Sequence, residues 1–419
     1  MKTKFSINDL PLADSANQAI EELKRLAHIS DLSLTGAGLL YERAYLLTAT
    51  SPATYLFSRC KLLKCKDGVL AVNLPRESDW EMITAWLGPW CNEVTVAQED
   101  WDTLEQFCQS IEAGDLIDQA NILGLAVSLA DQLPPPPNDI WHTKPVAPKL
   151  EIRKTPDAAP LVVDLSSLWA GPLCSHLLSM AGCRVIKVES SDRLDGARSG
   201  LPTFYQLLNQ GKESLTLNFK DPAHICLLKQ LLSEADIIIE GSRPRALHNL
   251  GIDAEDLLST GRGQVWISIT GFGRYGPSGS KVGFGDDAGA AAGLCQVMYQ
   301  ATGEYALVGD AIADPITGIH AALAAWQGYH AGGNALISLA LKDTVSYCLH
   351  RELSLNPDRV HQSCRLWMEY KDQLKVGFPH GPRKICNATA KAGEHNDAIL
   401  RALKLAQPAP SEATSSTVP

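Results

Sequence analysis

Residues 161–189, LVVDLSSLWAGPLCSHLLSMAGCRVIKVE, constrain the fold more than any other stretch. Leu161 to Val163 is a short apolar run that stops at Asp164, and a loop holding Gly171-Pro172 follows. Leu173, Leu177, Leu178 and Ala181 then recur at helical spacing. Gly182 ends that helix, and Val185 to Val188 reads as a second buried strand. Strand, loop, helix and strand, closed by the acidic Glu189, make a right-handed βαβ unit of nucleotide-binding type. The unit begins only after about a third of the chain has passed. A fold of this type usually opens a chain, so here a separate unit precedes it.

The first part of the chain, residues 1–133, has its own pattern. Asn17 to His28 reads as an amphipathic helix. Residues 61–74 read as a hairpin, because Asp67-Gly68 separates two alternating apolar runs. Ser78 to Trp86 reads as a helix capped by Ser78, with Glu81 at capping-box spacing. Helices from Trp101 to Ile111 and from Leu116 to Leu123 follow. The four prolines at 134–137 exclude helix and central strand, and 134–158 reads as an extended linker. From 160 to about 350 strands and helices alternate. The strands are Ser214–Leu217, Asp236–Ile239 and Val265–Ile269, and the helices are Ala223–Glu234, Ala290–Met298 and Ile316–Trp326. Alternation of this kind implies a mostly parallel sheet covered on both faces. The fold class is therefore α/β, with a Rossmann-like large domain over 159–405 and a smaller α+β domain over 1–133. The last residues, 406–419, are low in complexity and read as a disordered tail.

The 419 residues allow two to three domains, and 45% hydrophobic content suits a packed globule. A net charge of -10 and a pI near 5.6 argue against nucleic acid or an anionic membrane as partner, while leaving room for a local basic pocket. No apolar run reaches the length of a membrane span, and the first residues lack a signal-peptide core, so a cytoplasmic location is expected. The eleven cysteines are scattered with no CxxC pair, which reads as buried free thiols, with no metal site.

Several segments carry a family resemblance. VVDLSSLWAGPLCSHLLSMAGCRVIKVES, LNQGKESLTLNFK (208–220), ADIIIEGSRPRALHNLGI (235–252) and SITGFGRYGPSG (268–279) resemble the class III CoA-transferases, the CaiB/BaiF superfamily. IADPITGIHAALAA (312–325) resembles that family's active-site segment, and AKAGEHNDAILRALKL (390–405) its C-terminal GEHT-type signature. The order and spacing of these motifs match the family across about 160–345. Nearer the N-terminus, CKLLKCKDGVLAVNL and LIDQANILGLAVSLADQL resemble the family's small domain, which normally stands in the second half of the chain. The resemblance thus implies a circularly permuted member, with the small domain moved ahead, and a homodimer, whose chains the sequence does not show to be interlocked or separate.

It also implies a chemistry. In this family an aspartate carboxylate attacks the thioester of an acyl-CoA, giving a mixed anhydride and free CoA thiolate. The acyl group is then exchanged for a small carboxylic acid through enzyme-bound intermediates. Covalent catalysis divides one difficult exchange into easier steps, and backbone N–H groups stabilise the oxyanion. Asp314 falls on the family's nucleophile, and Gly318 and His320 on residues that follow it. Asp310 is the fallback in a shifted register. Read without the family, Asp314-Pro315 before an apolar helix is a good N-cap with Pro at the first helical position. For coenzyme A, the family match points to Arg243, Lys212 and Arg198 as cations, with Trp169, Ala170, Gly171 and Pro172 at the cofactor entrance and Glu189 closing the second strand. The bland reading of each cation is a solvated charge, and of Trp169 a core side chain.

The sequence departs from the family in places. Gly241 replaces the usual Asn of the Asn-Phe-Arg-Pro-Gly loop, and Ser190 and Ser191 replace basic residues of some relatives. Thr35-Gly36-Ala37-Gly38 is the nearest thing to the glycine loop that shields the intermediate. Other readings follow from these departures. An α-methylacyl-CoA racemase has Gly-His-Asp where this chain has Gly283-Phe284-Gly285, and Phe moves no proton unless Asp286 or Asp287 substitutes. A catalytically degenerate CoA-binding paralogue fits the lost Asn. A nicotinamide dehydrogenase does not fit, since SSLWAGP stands where G-x-G-x-x-G belongs.

Overall fold

The computed structural model describes residues 6–50, 59–91, 94–150, 159–371, 378 and 381–405. Among them the strands are β1 (Cys60–Lys64), β2 (Val69–Asn73), β3 (Ala126–Leu129), β4 (His142–Pro145), β5 (Leu161–Asp164), β6 (Arg184–Ser190), β7 (Glu213–Leu217), β8 (Ile237–Glu240), β9 (Val265–Thr270) and β10 (Ala335–Ala340). The first three form a small antiparallel sheet, and the other seven a large one in the order β4-β10-β9-β8-β5-β6-β7. The Asp67-Gly68 hairpin forms as expected, with Lys64 opposite Val69.

β5 to β10 all run parallel, and only β4 opposes its neighbour. The chain leaves β5 toward β6 and β7, returns across β5, and then adds β8, β9 and β10. The winding therefore reverses between β5 and β8. In open α/β sheets, ligands bind outside the carboxyl ends of the strands at such a reversal. Both faces are covered, which explains the unbroken apolar runs Val162-Val163 and Ile237-Ile238-Ile239, all wholly buried.

One face packs on helices Ala170–Met180, Ala313–His330 and Leu341–Leu355, and the other on helices Pro222–Glu234 and Asn396–Leu405. Helix Ala313–His330 is apolar nearly all round because it lies inside: Ile316 and Ile319 are 0% exposed. Burying such a side chain contributes roughly 1.5–3 kcal/mol.

Several expectations from the sequence need correction. Residues 6–50 do not stay with the small sheet: helices Ala13–Ala27 and Gly36–Thr50 share the apolar core of helix Ala313–His330, with Ile7, Ile20, Leu23, Leu40 and Tyr41 buried there. Thr35 to Gly38 makes no loop over a site. It starts the second of these helices, and a side chain at Gly36 would run into the backbone of Ala16. The stretch read as linker contributes β4, whose residues 142–145 pair with 335–338 of β10; residues 151–158 lie outside the described part. Ser78 sits inside helix Glu77–Glu81, because Asp79 accepts the Arg76 N–H (2.9 Å) and so fixes the start at Arg76. The helix expected over Ala290–Met298 is two helices, Gly285–Ala291 and Leu294–Thr302, broken at Gly293, whose φ of 103° no other residue tolerates well. The expected tail 406–419 lies outside the described residues.

The GEHN segment closes the β7 edge. Gly393 N–H donates to Ser214 Oγ (3.0 Å), Ser214 N–H to His395 Nδ1 (3.2 Å), and Thr216 N–H to Asn396 Oδ1 (2.8 Å). All eleven cysteines are free, and most are buried; Cys226 and Cys386 are exposed. Among the described residues no helix is long and apolar enough to cross a membrane.

Candidate active site

The turn before helix Ala313–His330 is tight, with Gly309 at φ 73° and Ala311 at φ 50°. A left-handed alanine is strained and persists only where its surroundings hold it. Here the Ala311 N–H donates to Asp286 Oδ1 (2.7 Å) and the Asp314 N–H to the Ala311 carbonyl (2.9 Å). The helix begins one residue before Asp314, with Ile312 at the cap position, so Asp314 is no N-cap. Pro315 falls within the first turn, where its missing N–H has no partner to lose. That leaves the Asp314 carboxyl free for other work.

Asp314 Oδ2 lies 2.5 Å from where a Cβ on Gly285 would stand, so only glycine fits opposite it. Burial pushes the Asp314 carboxyl up to about 7; Arg43 works against that shift, Asp310 adds to it, and the backbone N–H groups of Gly285 and Ala170 pull it down. Asp286 is likewise pushed up to about 7, first by burial and then by Asp310. Asp287 faces away. Its Oδ1 accepts from Asn73 Nδ2 (3.0 Å) and its carbonyl from Ser128 Oγ (2.8 Å), which docks the small sheet on helix Gly285–Ala291.

Asp310 is 4% exposed and takes both arms of Arg43, Nε and Nη2, each at 2.6 Å. The Arg43 guanidinium lies 4.6 Å from the Trp169 ring centroid and 5.7 Å from that of Phe204. Trp169 and Phe204 meet edge to face at 4.8 Å. Arg43 comes from helix Gly36–Thr50 and escaped the sequence reading. Its signal was present: Glu42-Arg43 is a charge pair inside the apolar run GAGLLYERAYLL, as befits one buried and one half-buried ion held by partners. Glu42 is paired as well, by Arg383 (3.0 and 2.6 Å).

The expected CoA residues divide. Trp169, Ala170, Gly171 and Pro172 form the buried start of helix Ala170–Met180, directly beside Asp314. The preceding loop is held by Asp195, whose Oδ1 accepts the Leu168 N–H (3.0 Å) and which pairs with the buried Lys187 (2.9 Å). Gly241 sits at the β8 end against Ser166, where an added Cβ would stand a tight 3.3 Å from Ser166 Cβ. Glu189 holds Arg198 in two contacts (2.9 and 2.5 Å), and Arg198 stacks over Tyr205 at 5.0 Å. Lys212 is 4% exposed and donates to Pro172 O (2.8 Å), Ser175 Oγ (2.7 Å), Asn209 Oδ1 (3.1 Å) and Asp164 Oδ2 (3.3 Å). With its donors all engaged inside the fold, Lys212 is a strut and not a phosphate ligand; Arg198 is committed to Glu189. Arg243 differs. It is exposed at the carboxyl end of β8, has no acidic partner among the described residues, and feels Arg245, Arg76 and Arg193 nearby. Arg76 is paired with Asp79 (2.8 Å), while Arg243, Arg245 and Arg193 have no acidic partner among the described residues, and such a cluster at a sheet reversal suits a polyphosphate.

His320 is buried, its Nε2 3.8 Å from Cys348 Sγ, and burial lowers it to about 4, so it is a neutral core residue away from the turn. Gly318 matters more: a Cβ there would lie 2.6 Å from the Ala170 carbonyl, so the glycine lets the two helices cross closely.

A family model described as CoA-transferase family III matches residues 160–352. Human succinyl-CoA:glutarate CoA-transferase is 29% identical over 253 residues, 58% of this chain and 55% of that protein. The succinyl-CoA–D-citramalate CoA-transferase of Chloroflexus aurantiacus is 31% identical over 176 residues, 40% of this chain and 44% of that one. Among solved structures, a CaiB/BaiF family protein from Brucella suis is similar at 27% identity and a TM-score of 0.44, over 49% of this chain and 59% of that one. The chain spans about half the length of the curated relatives it matches. Residues 160–352, a little under half of the chain, are thus similar to CoA-transferase family III.

Proposed function

We propose that the protein moves CoA from an acyl-CoA thioester to a small carboxylic acid, with Asp314 as nucleophile. One observation carries this reading: a single carboxyl stands in the first turn of a buried helix, beneath the N–H groups of Gly285 and Ala170, with only glycine opposite. An Asp314 oxygen attacks the thioester carbon, the C–S bond breaks, and CoA leaves as thiolate. The acyl group stays on Asp314 as an anhydride. The thiolate then attacks the Asp314 carbonyl, releasing the donor acid as its carboxylate and leaving an aspartyl-CoA thioester. The acceptor carboxylate attacks that thioester, giving a second anhydride and the thiolate, which attacks the acceptor's acyl carbon to give the new acyl-CoA and the free Asp314 carboxylate. Backbone N–H groups at this helix start would hold the oxyanion. The Arg243 cluster would meet the CoA phosphates, and Trp169 to Pro172 would border the thioester end.

The names of the relatives make succinyl-CoA a sensible probe. The test is incubation with succinyl-CoA, trapping with hydroxylamine, and peptide mapping. A modified Asp314 is the expected result. CoA binding without adduct or acyl exchange would leave a degenerate paralogue, and solvent exchange of an acyl α-proton without acyl exchange would leave a racemase.

The small sheet with its helices, residues 59–130, supports the further proposal that the family's small domain has been moved ahead of the large one. A homodimer, expected from the same resemblance, is tested by light scattering.

A further inference from the structure

Arg43 is accounted for by neither the motifs nor the match, since it lies outside residues 160–352. It reaches the candidate site from a helix more than 260 positions away in sequence. We infer that Arg43, with Asp310 as its counter-charge, is a positioning residue that sets the charge of the Asp314 carboxyl, so that the N-terminal helices complete the site. This rests on the reading of Asp314 as nucleophile.

The geometry is compact. Asp310, Ala311 and Asp314 belong to one turn, closed by the Asp314 N–H on the Ala311 carbonyl. Arg43 clamps the first of these residues through Nε and Nη2 and lies over Trp169, whose neighbour Ala170 turns its N–H to the last. Two aromatic rings and a bidentate carboxylate leave the guanidinium one orientation.

Among the described residues, Arg43, Asp310 and Asp286 act on Asp314. Arg43 comes from helix Gly36–Thr50, Asp310 from the turn, and Asp286 from helix Gly285–Ala291. Helix Ala170–Met180 offers a backbone N–H. The acids of the other helices packed nearby are engaged elsewhere: Asp14 with Arg359 (2.6 Å), Glu21 with Lys24 (2.9 Å), Glu22 with Arg25 (2.7 Å), Glu42 with Arg383 (2.6 Å), Asp343 with Lys342 (3.9 Å) and Glu352 with the Ser15 N–H (2.9 Å). His320, on the helix of Asp314 itself, is neutral. One guanidinium is thus divided among three carboxyls. Removing it leaves Asp314 facing like charges, so Asp314 keeps its proton to higher pH and cannot attack. Removing the charge of Asp310 has the opposite effect, because the guanidinium then acts undivided on Asp314. A brace that only held the turn in shape would give losses in both variants and no opposed shifts.

The experiment follows the pH dependence of Asp314 adduct formation from succinyl-CoA in single turnovers. Arg43→Gln should move the acidic limb up by ~1 unit or more, the shift usual for a close opposite charge, so the rate below the limb falls about tenfold. Asp310→Asn should move it down by ~1 unit. Arg43→Lys, which restores a cation, should recover most of the wild-type profile. In parallel, a water-soluble carbodiimide with an amine labels the protonated carboxyl, and the Asp314 peptide is quantified against pH without any substrate. If the wild type forms no adduct, the functional reading fails, while the carbodiimide curves still decide the role of Arg43. Equal curves for wild type and Asp310→Asn, or shifts of the same sign in both variants, would overturn the inference. Should Arg43→Gln not fold, Arg43→Met takes its place, with the same upward shift expected and an unmoved curve overturning the inference.

Discussion

Asp314 and Asp286 are held near neutrality by burial, and the direction of that shift governs how stability responds to pH. Both carboxyls move from an ordinary 3.8 to about 7 in the folded chain. The folded state therefore binds these protons more tightly than the unfolded chain, and stability declines as pH rises from about 4 to about 7. Above that range the protein holds two charged, poorly solvated carboxylates. Asp314→Asn should accordingly be more stable than wild type at about pH 8, by on the order of 1 kcal/mol, with no gain near pH 4. Urea titrations at the two pH values check this, and the same variant should form no acyl adduct. Lys212 is shifted the other way: burial pushes it down to about 8 against the pull of Asp164. Lys212→Met would strand Asp164 with less counter-charge and cost about 3 kcal/mol in a urea titration. The sequence marked Lys212 as a CoA cation and did not mark Arg43 at all. The reason is the same for both. A cation's partners come from distant segments, Asn209, Pro172 and Asp164 for Lys212 and Asp310 for Arg43, and no local pattern reports them.

Elements were far more legible. The βαβ unit, the Asp67-Gly68 hairpin and the parallel strands lie where apolar runs and turn residues put them, because period and punctuation are local properties. Boundaries failed where another contact overrode the expected cap, the Asp79 carboxylate on the Arg76 N–H at Ser78 and the Ala311 turn at Asp314-Pro315. The crossing of helices Ala313–His330 and Ala170–Met180 positions the Ala170 N–H and depends on Gly318. Gly318→Ala would set a methyl 2.6 Å from the Ala170 carbonyl and 3.1 Å from Leu173 Cβ, both rigid neighbours. The helices must then part. We expect a loss of ~1–3 kcal/mol in stability and a larger proportional loss in adduct rate, read by urea titration and by single-turnover kinetics. A fall in stability with an unchanged rate would show that the crossing does not govern the site.

At the scale of the whole molecule, the division of the chain differs from the one its proline run suggests. Composition breaks at 134–137, but packing breaks elsewhere, because helices at 13–50 belong to the core of the large sheet and only about 59–130 forms a separate apolar cluster. Native-state hydrogen exchange should therefore show helices Ala13–Ala27 and Gly36–Thr50 opening together with β5, β8 and β9, while β1 and β2 open independently at lower free energy. Joint protection of β1 with β5 and independent fraying of the first two helices would contradict this partition. The same arrangement has a consequence for synthesis. Ser15 bonds Glu352, Arg43 clamps Asp310, and Asp14 pairs with Arg359, each across more than 260 residues. At about 5–20 residues per second, the helices made first wait on the order of tens of seconds for the surface that covers them. Their apolar faces are bare during that wait, so the nascent chain is the form of this protein most in need of a chaperone.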